Sequence, residues 1–335
     1  MAVKFGVLVP QGWHLDLQDI PDPEEKYEHM TRFAQEAERL GFDSIWLYDH
    51  FHTVPTPEVE TTFECWISTA ALARDTKNVR IGQMVTCNSY RPPALLAKMA
   101  STVDVLSHGR LDFGIGAGWY EHEYNAYGYP FPDGPERLRM LSEALQIFHA
   151  MWQEPYASFE GKFYQIDGAI NEPKGVQKPH IPIWIGGAGE KVTLKLVAKY
   201  GDACNIGGTD PAWYRRKFDI LRQHCEDVGR PYDDIIRSAE VFTALTLPGQ
   251  TPEQATAKGR RDVSKLVGHE VGLEEFVEGG FVGYPPNFVG TPQQAVELYN
   301  TLIEAGVNYF IIYLNDLARL DTLQLFGEEV LPAFR

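Results

Sequence analysis

A closed (β/α)₈ barrel, the TIM-barrel class, is the fold this sequence predicts, on three observations. Short apolar and β-branched runs alternate along the chain with segments whose apolar residues recur at helical spacing, which is the signature of parallel βαβ units. Eight such runs can be counted, the number that closes a barrel rather than leaving an open sheet. The first run leads into Pro10-Gln11-Gly12-Trp13, without the glycine fingerprint that follows the first strand of an open dinucleotide-binding sheet.

The elements follow in order. Val3 to Val9 is a strand stopped by Pro10, and Pro23 to Leu40 is a helix closed by Gly41. Strands over 42–48 and 79–85 flank a helix over 62–73. A helix over 93–106, with prolines suited to its first turn, precedes a strand over 110–115 and a helix over 135–151. Two aromatic runs around Gly161 predict a hairpin inserted near 155–180. Alternation then resumes with a strand over 181–185, a helix over 190–200, a strand over 202–206 and a helix over 213–228. A seventh strand over 235–245, helices over 251–265 and 292–305, an eighth strand over 308–314 and a last helix over 320–334 complete the count. The glycine-, proline- and aromatic-rich stretch near 268–289 reads as a second insertion, and residues 1–335 as one elaborated barrel domain.

Composition bounds the function. The 335 residues, 44% of them hydrophobic, can bury a large core, and the net charge of −16 repels nucleic-acid phosphates. The longest apolar runs are far shorter than a membrane span, no secretory leader precedes Val3, and four scattered cysteines form no CxxC pair. A cytoplasmic enzyme acting on a small molecule, with no nucleic-acid or membrane partner, is the expectation. In so acidic a chain a bound phosphate has to be held by backbone amides.

In a barrel of this kind chemistry sits at the C-terminal ends of the strands. The second strand ends in Tyr48-Asp49-His50-Phe51-His52, which offers a carboxylate and imidazoles for proton transfer, or else a loop in which Asp49 and His50 only cap backbone groups. Met84, Val85 and Cys87 after the third strand give a soft apolar surface beside small polar groups, which is also what ordinary barrel filling looks like. After the fourth strand, Gly114-Ile115-Gly116-Ala117-Gly118-Trp119-Tyr120-Glu121-His122-Glu123-Tyr124 joins close-approach glycines to an indole, a phenol, carboxylates and an imidazole. Gly186-Gly187-Ala188-Gly189, running into a helix, and Gly207-Gly208 after the next strand can together form an anion cradle; separately, each is as well explained as a tight turn.

With these motifs assembled, the chain resembles the luciferase-like monooxygenase superfamily over nearly its whole length, and within it the coenzyme F420 (deazaflavin)-dependent oxidoreductases of actinobacterial type. The resemblance rests on Leu47 to His52, Gly114 to Tyr124 and Trp184 to Glu190. It implies a barrel with a cofactor ring in its mouth, Asp49 and His50 near the ring or substrate, and Met84-Val85 behind it through a non-prolyl cis peptide. Gly118, Trp119 and His122 would lie along the cofactor side chain, with Gly187, Ala188, Gly189, Gly207 and Gly208 at its phosphate. Sugar-phosphate dehydrogenases of the superfamily carry a glutamate where Trp119 stands, so that acid/base role does not transfer. The implied reaction is hydride transfer between the deazaflavin and an organic substrate, with His50 exchanging the proton, in a homodimer.

Alternatives stand beside this reading. FMN would present a similar ring and phosphate. HxH at His50 and His52 with Glu121-His122-Glu123 is compatible with a metal-dependent hydrolase, although no metal-ligand set is assigned, and the superfamily also includes barrels that bind flavin without catalysis.

Overall fold

The structure is a computed structural model that describes residues 3–278, 286–315 and 319–335, and of Leu266 only the backbone. Its strands are β1 (Lys4–Leu8), β2 (Ser44–Leu47), β3 (Arg80–Gln83), a short β4 (Thr86–Cys87), β5 (Leu111–Gly116), the hairpin β6 (Ala157–Glu160) and β7 (Gln165–Ala169), β8 (Ile183–Gly186), β9 (Ala203–Gly207), β10 (Ile236–Leu245), β11 (Phe288–Gly290) and β12 (Tyr309–Leu314). Strands β1, β2, β3, β5, β8, β9, β10 and β12 pair in that order, all parallel, and β12 returns to β1 through Phe5↔Phe310 and Val7↔Ile312. The barrel is closed with eight strands, as the alternation predicts.

Around it lie α1 (Pro23–Leu40), α2 (Cys65–Asp75), α3 (Pro93–Leu106), α4 (Glu121–Ala126), α5 (Gly134–Gln153), α6 (Thr193–Tyr200), α7 (Pro211–Val228), α8 (Pro252–Ala255), α9 (Ala257–Val267), α10 (Leu273–Glu278), α11 (Pro292–Glu304) and α12 (Leu320–Leu325). Local chemistry sets several of their ends. Asp22 accepts from Glu25 N at 2.9 Å to cap α1, whose chain leaves through Gly41 in the left-handed region. Thr291 and Gln294 form a reciprocal capping box on α11.

Trp46 of β2 and Trp184 of β8 meet edge to face across the barrel at 4.8 Å between ring centroids, and Trp184 meets Tyr309 of β12 in the same way at 4.9 Å. All three are buried. The polar ends of this cluster converge on Ser44, which accepts from Trp46 Nε1 at 2.6 Å and Tyr309 Oη at 2.7 Å. Gly6 and Gly82 on the flanking strands exist for Trp46: a Cβ at either would lie 2.4 Å from the indole. Below the mouth the barrel is therefore filled by side chains.

Several boundaries differ from the sequence reading. The helix expected from Glu190 begins at Thr193, because residues 190–192 form a turn in which Glu190 pairs with Lys217 at 2.8 Å. The helix expected over 251–265 breaks at Thr256 into α8 and α9, and the last helix passes from α-helical to π-helical over Phe326–Val330 and then to 3₁₀ over Leu331–Phe334. Helix α4 was not anticipated. The stretch near 268–289 contains α10 and β11, while its residues 279–285 lie outside the described residues. The inserted hairpin is present as antiparallel β6 and β7, and the Met84–Val85 peptide is cis.

Candidate active site

The C-terminal ends of β2, β4, β5, β8 and β9, with the middle of β10, open on one cavity of about 620 Å³, within the usual size of a small-molecule site. From β2 come Asp49 and His50. From the next crossing come Met84, Val85 and Cys87, then Gly118 and Trp119 beyond β5. Gly187, Ala188 and Gly189 follow β8, and Gly207 ends β9. The structure thus gathers most of the residues named from sequence on one wall-to-wall surface.

Two of them it does not. His122 is exposed on α4, its Nδ1 3.2 Å from His52 Nε2, because the first turn of α4 directs Glu123 rather than His122 inward. Gly208 lies just beyond the lining, with its carbonyl accepting from Tyr214 Oη at 3.0 Å. Nor do His50 and His52 converge as an HxH pair: His50 Nδ1 meets Glu123, whereas His52 Nδ1 meets the Thr53 carbonyl at 3.0 Å.

The buried carboxylate of Glu123, one the sequence could not rank against Glu121, organises the polar end. It accepts from His50 Nδ1 at 2.9 Å, Tyr90 Oη at 2.7 Å and Phe51 N at 2.7 Å. Burial would raise its pKa, but the hydrogen bond and charge of His50, with help from Tyr90 and the Phe51 amide, hold it below the ordinary glutamate value. An ionised carboxylate only accepts, so His50 Nδ1 carries a proton and its Nε2 is left to serve the cavity.

Asp49 is held differently. Arg91, a residue the sequence reading passed over, grips it with Nη1 to Oδ2 at 2.7 Å and Nη2 to Oδ1 at 3.0 Å, and Cys87 N donates to Oδ2 at 2.9 Å. Asp49 therefore ties the end of β2 to β4. Burial pushes the Cys87 thiol up to about 12 and Tyr124 Oη lies 3.0 Å away, so Cys87 is a neutral wall.

At the glycine end, the amides of Gly187 and Gly208 are already engaged by the carbonyls of Asn205 (3.0 Å) and Glu240 (3.3 Å). Among the described residues the amides of Ala188 and Gly189 have no acceptor, and Thr193 at the start of α6 stands beside them on the lining. Of the two glycine turns, then, the stretch with unengaged amides is Ala188-Gly189. Lys217 backs it from outside, its Nζ 2.9 Å from the Ala188 carbonyl and its charge balanced by Glu190.

A further group went unread. In β10, Ser238, Glu240 and Phe242 alternate toward the barrel interior. Tyr48 Oη donates to Glu240 Oε1 at 2.6 Å. Burial raises the Glu240 carboxyl to about 7, and Tyr48 only partly offsets it; burial, then Glu240, pushes the Tyr48 phenol well above its ordinary value. Trp13 lies between Tyr48 (centroids 3.7 Å) and His50 (5.3 Å, 4° from parallel). A single carboxylate inside the apolar run of the seventh strand was the available signal.

Known proteins match this arrangement along its length. An F420-dependent glucose-6-phosphate dehydrogenase of Amycolatopsis mediterranei is 24% identical over 325 residues, covering 91% of this chain and 94% of that protein. A 5,10-methylenetetrahydromethanopterin reductase of Archaeoglobus fulgidus is 24% identical over 342 residues, covering 93% and 98%. Among solved structures, an F420-dependent secondary alcohol dehydrogenase in complex with an F420-acetone adduct superposes with a TM-score of 0.80 at 21% identity, covering 100% of both chains, a likeness of fold. The sequence profile of the family described as luciferase-like monooxygenase matches residues 3–309, so the chain, an oxidoreductase, belongs to the luciferase-like monooxygenase family.

Proposed function

We propose that this oxidoreductase transfers a hydride between coenzyme F420 and a small organic substrate in the barrel mouth. The observation that carries the reading is the pairing of two ends of one cavity: His50, oriented by Glu123, at one, and the unengaged amides of Ala188 and Gly189 at the other. The residues present suit a planar ring with a phosphate-bearing chain. Val85 forms a flat wall, packed where a Cβ at Gly116 or Gly186 would come within 2.8 Å of it. Thr86 Oγ1 and Trp13 Nε1, both on residues of the lining, are buried with no hydrogen-bond partner among the described residues, as groups awaiting a ligand are.

When bound, the deazaflavin supplies the hydride-accepting or hydride-donating carbon. Around it, Ala188, Gly189 and Thr193 would hold the phosphate, Met84 and Val85 the back of the ring, and Gly118 and Trp119 the side chain. Asp49, kept rigid by Arg91, would set the edge of the site, and His50 Nε2 would exchange the substrate's proton. The names of the F420-dependent relatives support this cofactor. A second reading is an FMN-dependent monooxygenase; the family description supports its monooxygenase part. A homodimer is supported by Ile67 on α2 and Leu95 on α3, which stand exposed on neighbouring helices; among the described residues no helix is long and apolar enough to cross a membrane.

His50→Asn tests the proton role. Turnover should fall by about 100-fold or more while F420 affinity changes little; unchanged turnover would remove His50 from the mechanism.

A further inference from the structure

The charges on the cavity wall are unevenly placed. Besides His50, its ionisable charged residues are Asp49, Glu240 and Arg137. Arg91 compensates Asp49, whereas Arg137 is spent on the carbonyls of Gly118 (3.1 Å) and Pro132 and on the face of Phe131 at 4.1 Å. Among the described residues no lysine, arginine or histidine lies within ion-pair distance of Glu240. Around that carboxyl the wall is aromatic, made by Trp13, Tyr48 and Phe242. Trp13, stacked on His14, joins this patch to His50, so a substrate lying along this edge of the cavity would reach both.

Resting on the proposed hydride-transfer reading, we infer that this end of the cavity selects an uncharged alcohol with an apolar or aromatic body and rejects phosphorylated and carboxylated substrates, with Glu240 as the specificity-determining residue. An aromatic wall gains from burying an apolar body. An uncharged substrate lies beside Glu240 at no electrostatic cost, whereas an anionic group there would meet a like charge with no cation to offset it. His50 Nε2 would take the hydroxyl proton of a secondary alcohol while the bound deazaflavin would supply the acceptor for the carbon-bound hydride, the organic product being a ketone.

Glu240 should discriminate only while ionised, and the groups packed around it are few. Tyr48 faces it from β2 and Tyr214 from α7; its partners on the flanking strands are Gly207 and Ile311. Behind the lining, His14 and Asp16 follow β1 and Tyr313 stands on β12. Burial, then the charges of His50 and Lys258, keeps the His14 imidazole well below its ordinary value, so it adds no positive charge at neutral pH. Burial raises the Asp16 carboxyl, which two backbone amides hold.

The test is calorimetric titration with two matched probes, 1-phenylethanol and mandelate, which differ by a methyl in place of a carboxylate, with glucose 6-phosphate as a third. It is run on the full chain with and without F420. At pH 8, 1-phenylethanol should bind at least about 10-fold more tightly than mandelate or glucose 6-phosphate. Lowering the pH to 6 should narrow that ratio in the wild type, and Glu240→Gln should narrow it at both pH values, leaving F420 affinity within about threefold. Equal or tighter binding of the anions, no binding of the alcohol, or an unaltered ratio in Glu240→Gln would overturn the inference. Failure of F420 itself to bind, with the preference intact, would overturn the cofactor reading instead.

Discussion

His50 Nδ1 lies 2.9 Å from the Glu123 carboxylate, which is fully buried in α4 and takes further hydrogen bonds from Tyr90 and the Phe51 amide. This pairing decides which imidazole nitrogen faces the cavity, and it ties the loop after β2 to the helix after β5. Glu123→Gln should destabilise the protein by about 1–3 kcal/mol in urea unfolding, since the amide cannot serve all three donors. Its depressed folded-state pKa contributes stability that is present above the unfolded glutamate value and lost as pH falls through the folded one. The variant should therefore lose less stability than the wild type on acidification. An equal or steeper acid loss in the variant would contradict the pairing.

Arg91 is predicted to matter through Asp49 rather than through a ligand. Arg91→Met leaves the Asp49 carboxylate buried without its bidentate partner and should cost about 3–5 kcal/mol. Arg91→Met combined with Asp49→Asn should recover part of that loss. Additive losses in a double-mutant cycle would mean that the two side chains do not act as a pair.

Glu240 has the opposite linkage to Glu123. Its folded carboxyl titrates near 7, above the unfolded value, so its contribution to stability is full at acid pH and is lost as pH rises through about 7. The wild type should become less stable between pH 5 and pH 8, and Glu240→Gln should flatten that slope. Urea midpoints measured across this range settle it; a slope shared by both proteins would assign it to another group.

The glycine cradle makes a prediction about cofactor chemistry. A Cβ at Gly189 would stand 2.7 Å from Thr193 Oγ1, crowding the two amides left unengaged. Gly189→Ala should weaken binding of phosphate-bearing F420 far more than binding of its phosphate-free chromophore with the same ribityl chain. Equal weakening of the two would place the phosphate elsewhere.

The barrel was legible because its strands are buried and parallel: runs such as Ile81 to Val85 and Tyr309 to Leu314 have no competing reading once helices separate them. Residues at strand ends were legible for the same reason, since position alone puts Asp49, His50 and the glycine turns at one mouth. What stayed hidden were the partners. Glu123 becomes buried only because a short helix, α4, begins at Glu121, and six residues of helix carry too little periodicity to announce it. Arg91 meets Asp49 across 42 positions of sequence, and Glu240 meets Tyr48 across 192. Such pairs are created by barrel closure and have no local signature. His122 stands outside the cavity lining for a related reason, because a one-residue shift along α4 is a turn of about 100° away from Glu123.

Equilibrium titration of the apoprotein with F420 and FMN in parallel, followed by fluorescence, decides which cofactor the barrel mouth takes. F420 should bind at least about 10-fold more tightly than FMN, with the difference retained in His50→Asn. Tighter binding of FMN, or saturable binding of neither, would rule out F420 as the cofactor.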